Sequence, residues 1–225
     1  MNFADIQQDL RNAKEFLKPV LQVDNAHENN GSIISWRRYI PGIGRNTYYP
    51  LEYQHLIDNH QYSFLLRDGS FFQFYYEFSS NQLISGRAAY YPTPMGTFDS
   101  QDDLVDGAES ALDQDRDDLY QHLLNVVDLM EADKLLPANT SHVRFDFDHR
   151  AKTHEPSHMQ FGAINSLRIP SNFFPTPLAF VQLLSTIVDG VGSYNGAHIA
   201  HAKNKCHVSK DFFGIESNII AFRLP

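Results

Sequence analysis

The chain is predicted to fold as an α+β protein, a mostly antiparallel sheet of about six to eight strands with three main helices. Three observations carry that prediction. Apolar residues recur at spacings of three and four in two separated stretches, and run almost unbroken through a third; these are signatures of surface and buried helices. Between those stretches, several short segments alternate apolar and polar residues with period two, as half-buried strands do. Asp68-Gly69 lies between two such segments, and that dipeptide is a strong hairpin signal because glycine takes positive φ at little cost.

In chain order, Phe3, Ile6, Leu10, Ala13, Leu17 and Leu21 form the stripe of the first helix, which Pro19 ends or kinks. Asp24 to Gly31 reads as polar and turn-like. Ser32–Ile40 alternates as a strand that puts Arg37 and Arg38 on opposite faces, where each reads as solvated. Tyr62–Arg67 and Phe71–Phe78 flank the Asp68-Gly69 turn, and Leu83–Tyr91 extends the meander until Pro92, Pro94 and Gly96 close it. Asp99–Gly107 reads as an acidic loop, followed by a helix to Asp133 whose first turns hold Asp113, Asp115, Asp117 and Asp118. Acid there complements the helix dipole and needs no functional reading. Ser141–Asp148, Ser157–Gly162 and Ser166–Ile169 read as three short strands. Pro175 or Pro177 then begins a buried helix, Leu178–Val188, that Gly190 and Gly192 end. One further strand is expected near Ile219–Phe222.

With 225 residues, 42% of them hydrophobic, 17 Phe and 11 Tyr, the chain has the material for one α+β domain over residues 1–225, with a loop break near 99–107. No run approaches the roughly 18 apolar residues that cross a bilayer. Asp5, Asp9, Arg11 and Glu15 interrupt the N-terminal segment, which is unlike a signal peptide. Cys206 is the one cysteine, so an intrachain disulfide and a Cys-based zinc cage are excluded and a reducing cytoplasm is expected. Its thiol reads as inert, and His198-Ile-Ala-His201 as a helical pair with metal-compatible spacing. A net charge of −9, from 18 Lys and Arg against 27 Asp and Glu, argues against broad adhesion to nucleic acid or to a membrane. Nucleic acid is expected to be contacted only locally.

The segment from Ser141 to Arg168 carries the candidate chemistry. His142, His149, His154 and His158 are four of the 11 histidines. Alternation sends Val143, Phe145 and Phe147 to the core and His142, Arg144, Asp146 and Asp148 to the opposite face. In the next strand Met159 and Phe161 face the core, leaving His158 and Gln160 opposite; Arg168 joins them from the third. Antiparallel pairing of the first two strands would set Arg144 and Asp146 opposite His158 and Gln160, within about 5.5 Å. A carboxylate at that range is expected to raise the histidine pKa and leave it a proton donor.

Three readings remain open. His142 and His158 act as base and acid, with Arg144 or Arg168 stabilising a pentacovalent phosphate. Asp146 and Asp148, with carboxylates roughly 7 Å apart along a strand, hold a divalent metal with a histidine. Or Arg144, Asp146, Asp148 and Arg168 form a structural salt-bridge network. No other cofactor is expected, and no GxSxG, P-loop, GxGxxG or HExxH motif occurs.

The string Ser-His-Val-Arg-Phe-Asp-Phe-Asp at 141–148, with His154, Ser157-His158, Phe161, Arg168-Ile169-Pro170 and the Pro-rich start of the last helix, resembles a bacterial family known as domain of unknown function number 2290. The match is specific over about Ser141 to Leu184 and is expected to extend over most of the chain. The resemblance lends no activity; it implies a bacterial or mobile-element origin. A looser similarity is to small toxin-like proteins with an Arg-x-Asp strand and a His-rich Pro-His turn, whose compact His-His pairs are absent here. The leading expectation is a prokaryotic protein of mobile-element or phage-defence type with an RNase-like phosphodiester-cleaving site on His142, Arg144, Asp146, His158 and Arg168. The alternative is a non-catalytic adaptor whose polar patch is structural. Its aromatics, from Phe71, Tyr75, Tyr90 and Tyr91, would contact a protein partner encoded nearby.

Overall fold

Asn2 starts the first helix, α1 (Phe3–Leu17), with a reciprocal cap. Its side-chain oxygen accepts from the Asp5 N–H at 2.9 Å, and Asp5 Oδ2 accepts from the Asn2 N–H at 3.2 Å. Two donors that the helix cannot satisfy are thereby matched. The buried stripe is Ile6, Leu10, Ala13 and Leu17. The computed structural model describes residues 1–29, 31–41, 49–95, 101–133, 141–151, 156–162, 168–185, 187–188, 190 and 206–208.

After α1 the chain enters β1 (Leu21–Asp24), β2 (Ala26–Asn29) and β3 (Ile33–Trp36), then α2 (Tyr49–Asp58), β4 (Phe64–Leu66), β5 (Phe71–Ser79) and β6 (Gln82–Tyr91). Two helices follow, α3 (Gln101–Asp113) and α4 (Asp117–Asp133), which pack principally on each other. β7 (Val143–Asp148), β8 (Ser157–Phe161), β9 (Ile169–Ser171), β10 (Phe173–Phe174), α5 (Pro177–Leu184) and β11 (His207–Val208) complete the described elements. Nine strands form one antiparallel sheet in the order β1-β4-β5-β6-β7-β8-β9, with β3 pairing the far end of β5 and β2 pairing β3. The β4–β5 hairpin turns at Asp68-Gly69, with Gly69 at φ +87°. The β5–β6 hairpin turns through Ser80 and Asn81, both at positive φ, a tight turn whose twist suits antiparallel strands.

One face of the sheet holds the main core. Phe72, Phe74, Tyr76, Ala88, Phe145, Phe147 and Met159 meet α1 and α5 there. Phe180 of α5 sets its ring edge-on to Phe72, Phe74 and Phe145, with centroids 6.1–6.2 Å apart. Asp9, buried within the apolar stripe of α1, accepts the Leu178 N–H at 2.9 Å and so caps α5 beside its N-cap Thr176. The opposite face carries a smaller aromatic cluster: Phe71 and Tyr91 lie under Tyr49 and Leu56 of α2.

Gly86 sits between Tyr76 and Phe147 in the ladder, where a Cβ would come within 2.5 Å of the Phe174 ring. Phe174 is fully buried among Tyr76 and Phe147 and has nowhere to retreat. Gly86→Ala is expected to cost about 1–3 kcal/mol through overpacking, seen as a lower urea midpoint at unchanged slope.

Several expectations are corrected in detail. β3 stops at Trp36 because Arg38 takes φ 57°. The stretch read as turn-like after Asp24 contains β2, and the acidic loop from Asp99 becomes helical at Gln101. α3 and α4 are separate helices, broken where Asp115 takes φ 54°. α2 was not expected at all. Phe71, Tyr90 and Tyr91 are buried, so they cannot be the contact surface of an adaptor; of the four aromatics only Tyr75 is partly exposed. Phe161, expected in the core, is 39% exposed at the end of β8. Arg37 and Arg38 are both exposed. The strand expected near Ile219–Phe222 and the pair His198 and His201 lie outside the described residues. Among the described residues, no helix is long and apolar enough to cross a membrane.

Candidate functional site

Strand register assembles the site on the face opposite the main core. β7 is central to it, with β6 on one side and β8 on the other. Asp146 stands opposite Arg87 of β6 and His158 of β8, and Arg87 stands opposite Tyr75 of β5. One row across four strands therefore reads Tyr75, Arg87, Asp146, His158. In the next row Arg144 stands opposite Gln160. The expected facing of Arg144 and Asp146 with His158 and Gln160 is what the register contains, and Phe145 and Phe147 are buried behind them.

Asp146 is the hub. Arg87 Nε donates to its Oδ1 at 2.9 Å, and Arg144 Nε lies 2.8 Å from its Oδ2. The Arg144 contact is ionic, because that N–H is not aligned for a hydrogen bond. Burial pushes the Asp146 carboxyl up, but Arg87 and Arg144 outweigh it and hold the group down at about 2. Two guanidinium groups, one from its own row and one from the next, thus meet on a single carboxylate.

The polar relay continues to His158. Arg144 Nη2 donates to Gln160 Oε1, which orients the amide so that Gln160 Nε2 faces His158 Nε2 at 3.3 Å. With the amide oxygen taken by Arg144, the amide N–H is the group that faces this nitrogen, a geometry that suits a ring accepting at Nε2. Asp146 faces His158 as expected, but it is shared by two arginines, and the Gln160 amide is a second polar neighbour of the ring.

A cleft of about 350 Å³ opens here, lined by Tyr39, Tyr75, Arg87, Asp146, Asp148 and His158 among others. Tyr39 and Tyr75 stack at 4.8 Å and 27°. Burial raises the pKa of both phenols, so both are neutral at pH 7. Tyr39 is held in place from behind by Gln61, whose amide uses every hydrogen-bonding position. Its Oε1 accepts from Trp36 Nε1 at 3.0 Å and the Ile40 N–H at 2.9 Å; its Nε2 donates to the carbonyls of Arg38 and Asn59 at 3.0 and 2.8 Å. Gln61→Leu orphans a buried indole N–H and frees the segment that bears Tyr39, at an expected cost of about 2–4 kcal/mol. Thermal denaturation measures it, and an unchanged midpoint would contradict the clamp.

The other expected residues are not brought together. His142 lies beneath α2, not in the cleft: its Nδ1 is 3.5 Å from Glu52 Oε2, both side chains are 3% exposed, and its ring packs on Tyr91 at 4.9 Å. At about 3.3 Å of rise per residue, four positions along β7 separate it from the Asp146 row, so a His142–His158 acid–base pair is not formed. Arg168 is exposed just before β9, and among the described residues the arginines paired with Asp146 are Arg87 and Arg144. As for a metal, both Asp146 oxygens are engaged by guanidinium, and Asp148 Oδ1 accepts the Arg150 N–H at 2.9 Å. Among the described residues no group of three or more His, Cys, Asp or Glu is arranged to hold an ion. His154 lies outside the described residues. Burial pushes the Cys206 thiol up to about 12, which suits an inert thiol.

Arg87, Tyr39 and Glu52 were missed, and Tyr75 was expected only as a contact aromatic of the adaptor. Arg87 left a trace in the sequence as the lone charge in Leu83–Tyr91; Tyr39 left none, since its position depends on the left-handed turn at Arg38.

Compared with known proteins, the chain matches, over residues 19–209, the family model described as Uncharacterized conserved protein (DUF2290). No curated protein matches it, and no solved structure does.

Proposed function

Since the chain belongs to the uncharacterized conserved family DUF2290, we propose its function from the cleft: a phosphodiester-cleaving, RNase-like enzyme that uses the row Tyr75–Arg87–Asp146–His158. The observation that carries the reading is the coincidence, in one small concavity, of the partly exposed Arg87 guanidinium and a histidine whose Nε2 faces the Gln160 amide. Arg87, 36% exposed, is the group able to reach a phosphate oxygen and stabilise charge as it develops. Asp146 does not touch substrate; it bridges Arg87 and Arg144 and so fixes the aim of each.

His158 accepts the proton of the attacking hydroxyl as the new P–O bond forms. The bond to the leaving oxygen breaks with its electron pair, and the histidine returns the proton to that oxygen. For Nε2 to take part, the Gln160 amide must yield it, which makes Gln160 a positioning residue. Arg144, 12% exposed, orients Gln160. We extend the reading to a mobile-element or phage-defence setting on the resemblance to a bacterial family alone.

The test is incubation of the purified protein with end-labelled RNA and DNA in excess chelator. Cleavage that persists in chelator and is lost in Arg87→Ala supports the reading. A protein that cuts no phosphodiester with or without added divalent ions, while remaining folded, refutes it.

A further inference from the structure

Resting on that reading, we propose that the substrate is a single-stranded nucleic acid strand, with one base stacked on Tyr39 and the neighbouring phosphate on Arg87. Tyr39 is 38% exposed and forms one wall of the cleft with Tyr75. Its ring is already stacked on Tyr75 at 4.8 Å and braced edge-on by Trp36 at 5.1 Å and 77°. The Gln61 amide immobilises the backbone on either side of it. A preformed, rigid aromatic platform is what a base needs for stacking without an ordering cost.

Tyr75 stands directly opposite Arg87 in the β5–β6 ladder, so platform and guanidinium are neighbours, as a base and its own phosphate are. A cleft of about 350 Å³ is at the small end of the range for ligand sites, roughly 300–1,000 Å³, and suits one nucleotide unit, not a duplex groove. Bases in a duplex keep their faces covered by their neighbours and cannot offer one to Tyr39.

The charge distribution points the same way. Residues 101–133 hold eleven acids and one arginine, a net −10, and the remainder of the chain is at +1. No basic field draws in a polyanion from a distance, so affinity must come from short-range contacts. Stacking is the sequence-tolerant contact that supplies it.

The experiment is fluorescence anisotropy with ten-nucleotide single-stranded RNA, the same sequence as DNA, and the corresponding duplexes. Wild type, Tyr39→Ala, Tyr39→Phe and Arg87→Ala are compared, each checked for native circular dichroism. Expected is preference for single strands, a loss of roughly 5- to 150-fold in Tyr39→Ala, and retention in Tyr39→Phe, which keeps the ring. RNA binding without DNA binding would assign a contact to the 2′-hydroxyl; equal binding assigns base and phosphate alone. Duplexes bound as tightly as single strands, or single-strand binding indifferent to Tyr39→Ala but lost in Arg87→Ala, overturn the inference and leave the phosphodiester reading standing. No binding by any strand, with cleavage also absent, removes both.

Discussion

Asp146→Asn is expected to destabilise the protein by about 3 kcal/mol at pH 7, because it leaves Arg87 and Arg144 facing each other without their carboxylate. Asp146 is only 19% exposed and Arg144 12%, so water screens the two guanidinium groups poorly. The asparagine oxygen can still accept one hydrogen bond, which limits the loss. The carboxyl titrates at about 2 in the fold against an ordinary value of 3.8. A depressed folded pKa contributes stability that is present above the ordinary value and disappears as pH falls toward the folded one. Its contribution, on the order of 2 kcal/mol, is therefore complete above about pH 4 and lost between 4 and 2. Urea denaturation of wild type and Asp146→Asn across pH 2–7 measures this directly. The gap between the two should be widest near neutrality and close below pH 4. A gap that is absent at pH 7, or that does not narrow in acid, would show that the carboxylate is not what holds the arginines.

His158→Ala is expected to reduce nucleolytic activity by about 10²- to 10⁴-fold, the usual contribution of a positioned proton-transfer group. The side chain is only 6% exposed, so the alanine variant also risks a cavity. His158→Gln fills most of the space, puts a polar amide where the imidazole stood and cannot exchange a proton at neutral pH, which separates packing from chemistry. Both variants should lose cleavage of labelled single strands while binding them within a few-fold of wild type, since the platform and Arg87 are untouched. Activity that survives in both, or loss that only accompanies unfolding, would make the row a structural network and remove His158 from the reaction. Gln160→Glu is the companion test of the relay. A carboxylate in place of the amide accepts where the amide donates, so it favours protonated His158, and the activity optimum should move to higher pH without loss of binding.

Much of this architecture is local and can be read along the chain. The stripe of α1, the Asp68-Gly69 turn, the buried character of α5 and the two faces of β7 all follow from spacing and turn chemistry acting within a few residues. So does the facing of Asp146 with His158, because the connection between β7 and β8 is short enough to make them antiparallel neighbours. What lies on the other side of β7 is different in kind. Arg87 is 59 residues away from Asp146, and no periodicity in either strand says that β6 pairs with β7, or in which register. Which part of the polar face is open is equally non-local. α2 covers the His142 end with Tyr49 and Glu52, while the turn at Arg38, pinned by Gln61, brings Tyr39 over the other end. The alternation of β7 thus determined which side chains share a face. Long-range pairing and helix packing decided which of them are buried as structure and which line a cleft, because burial is settled by what the rest of the chain lays on top.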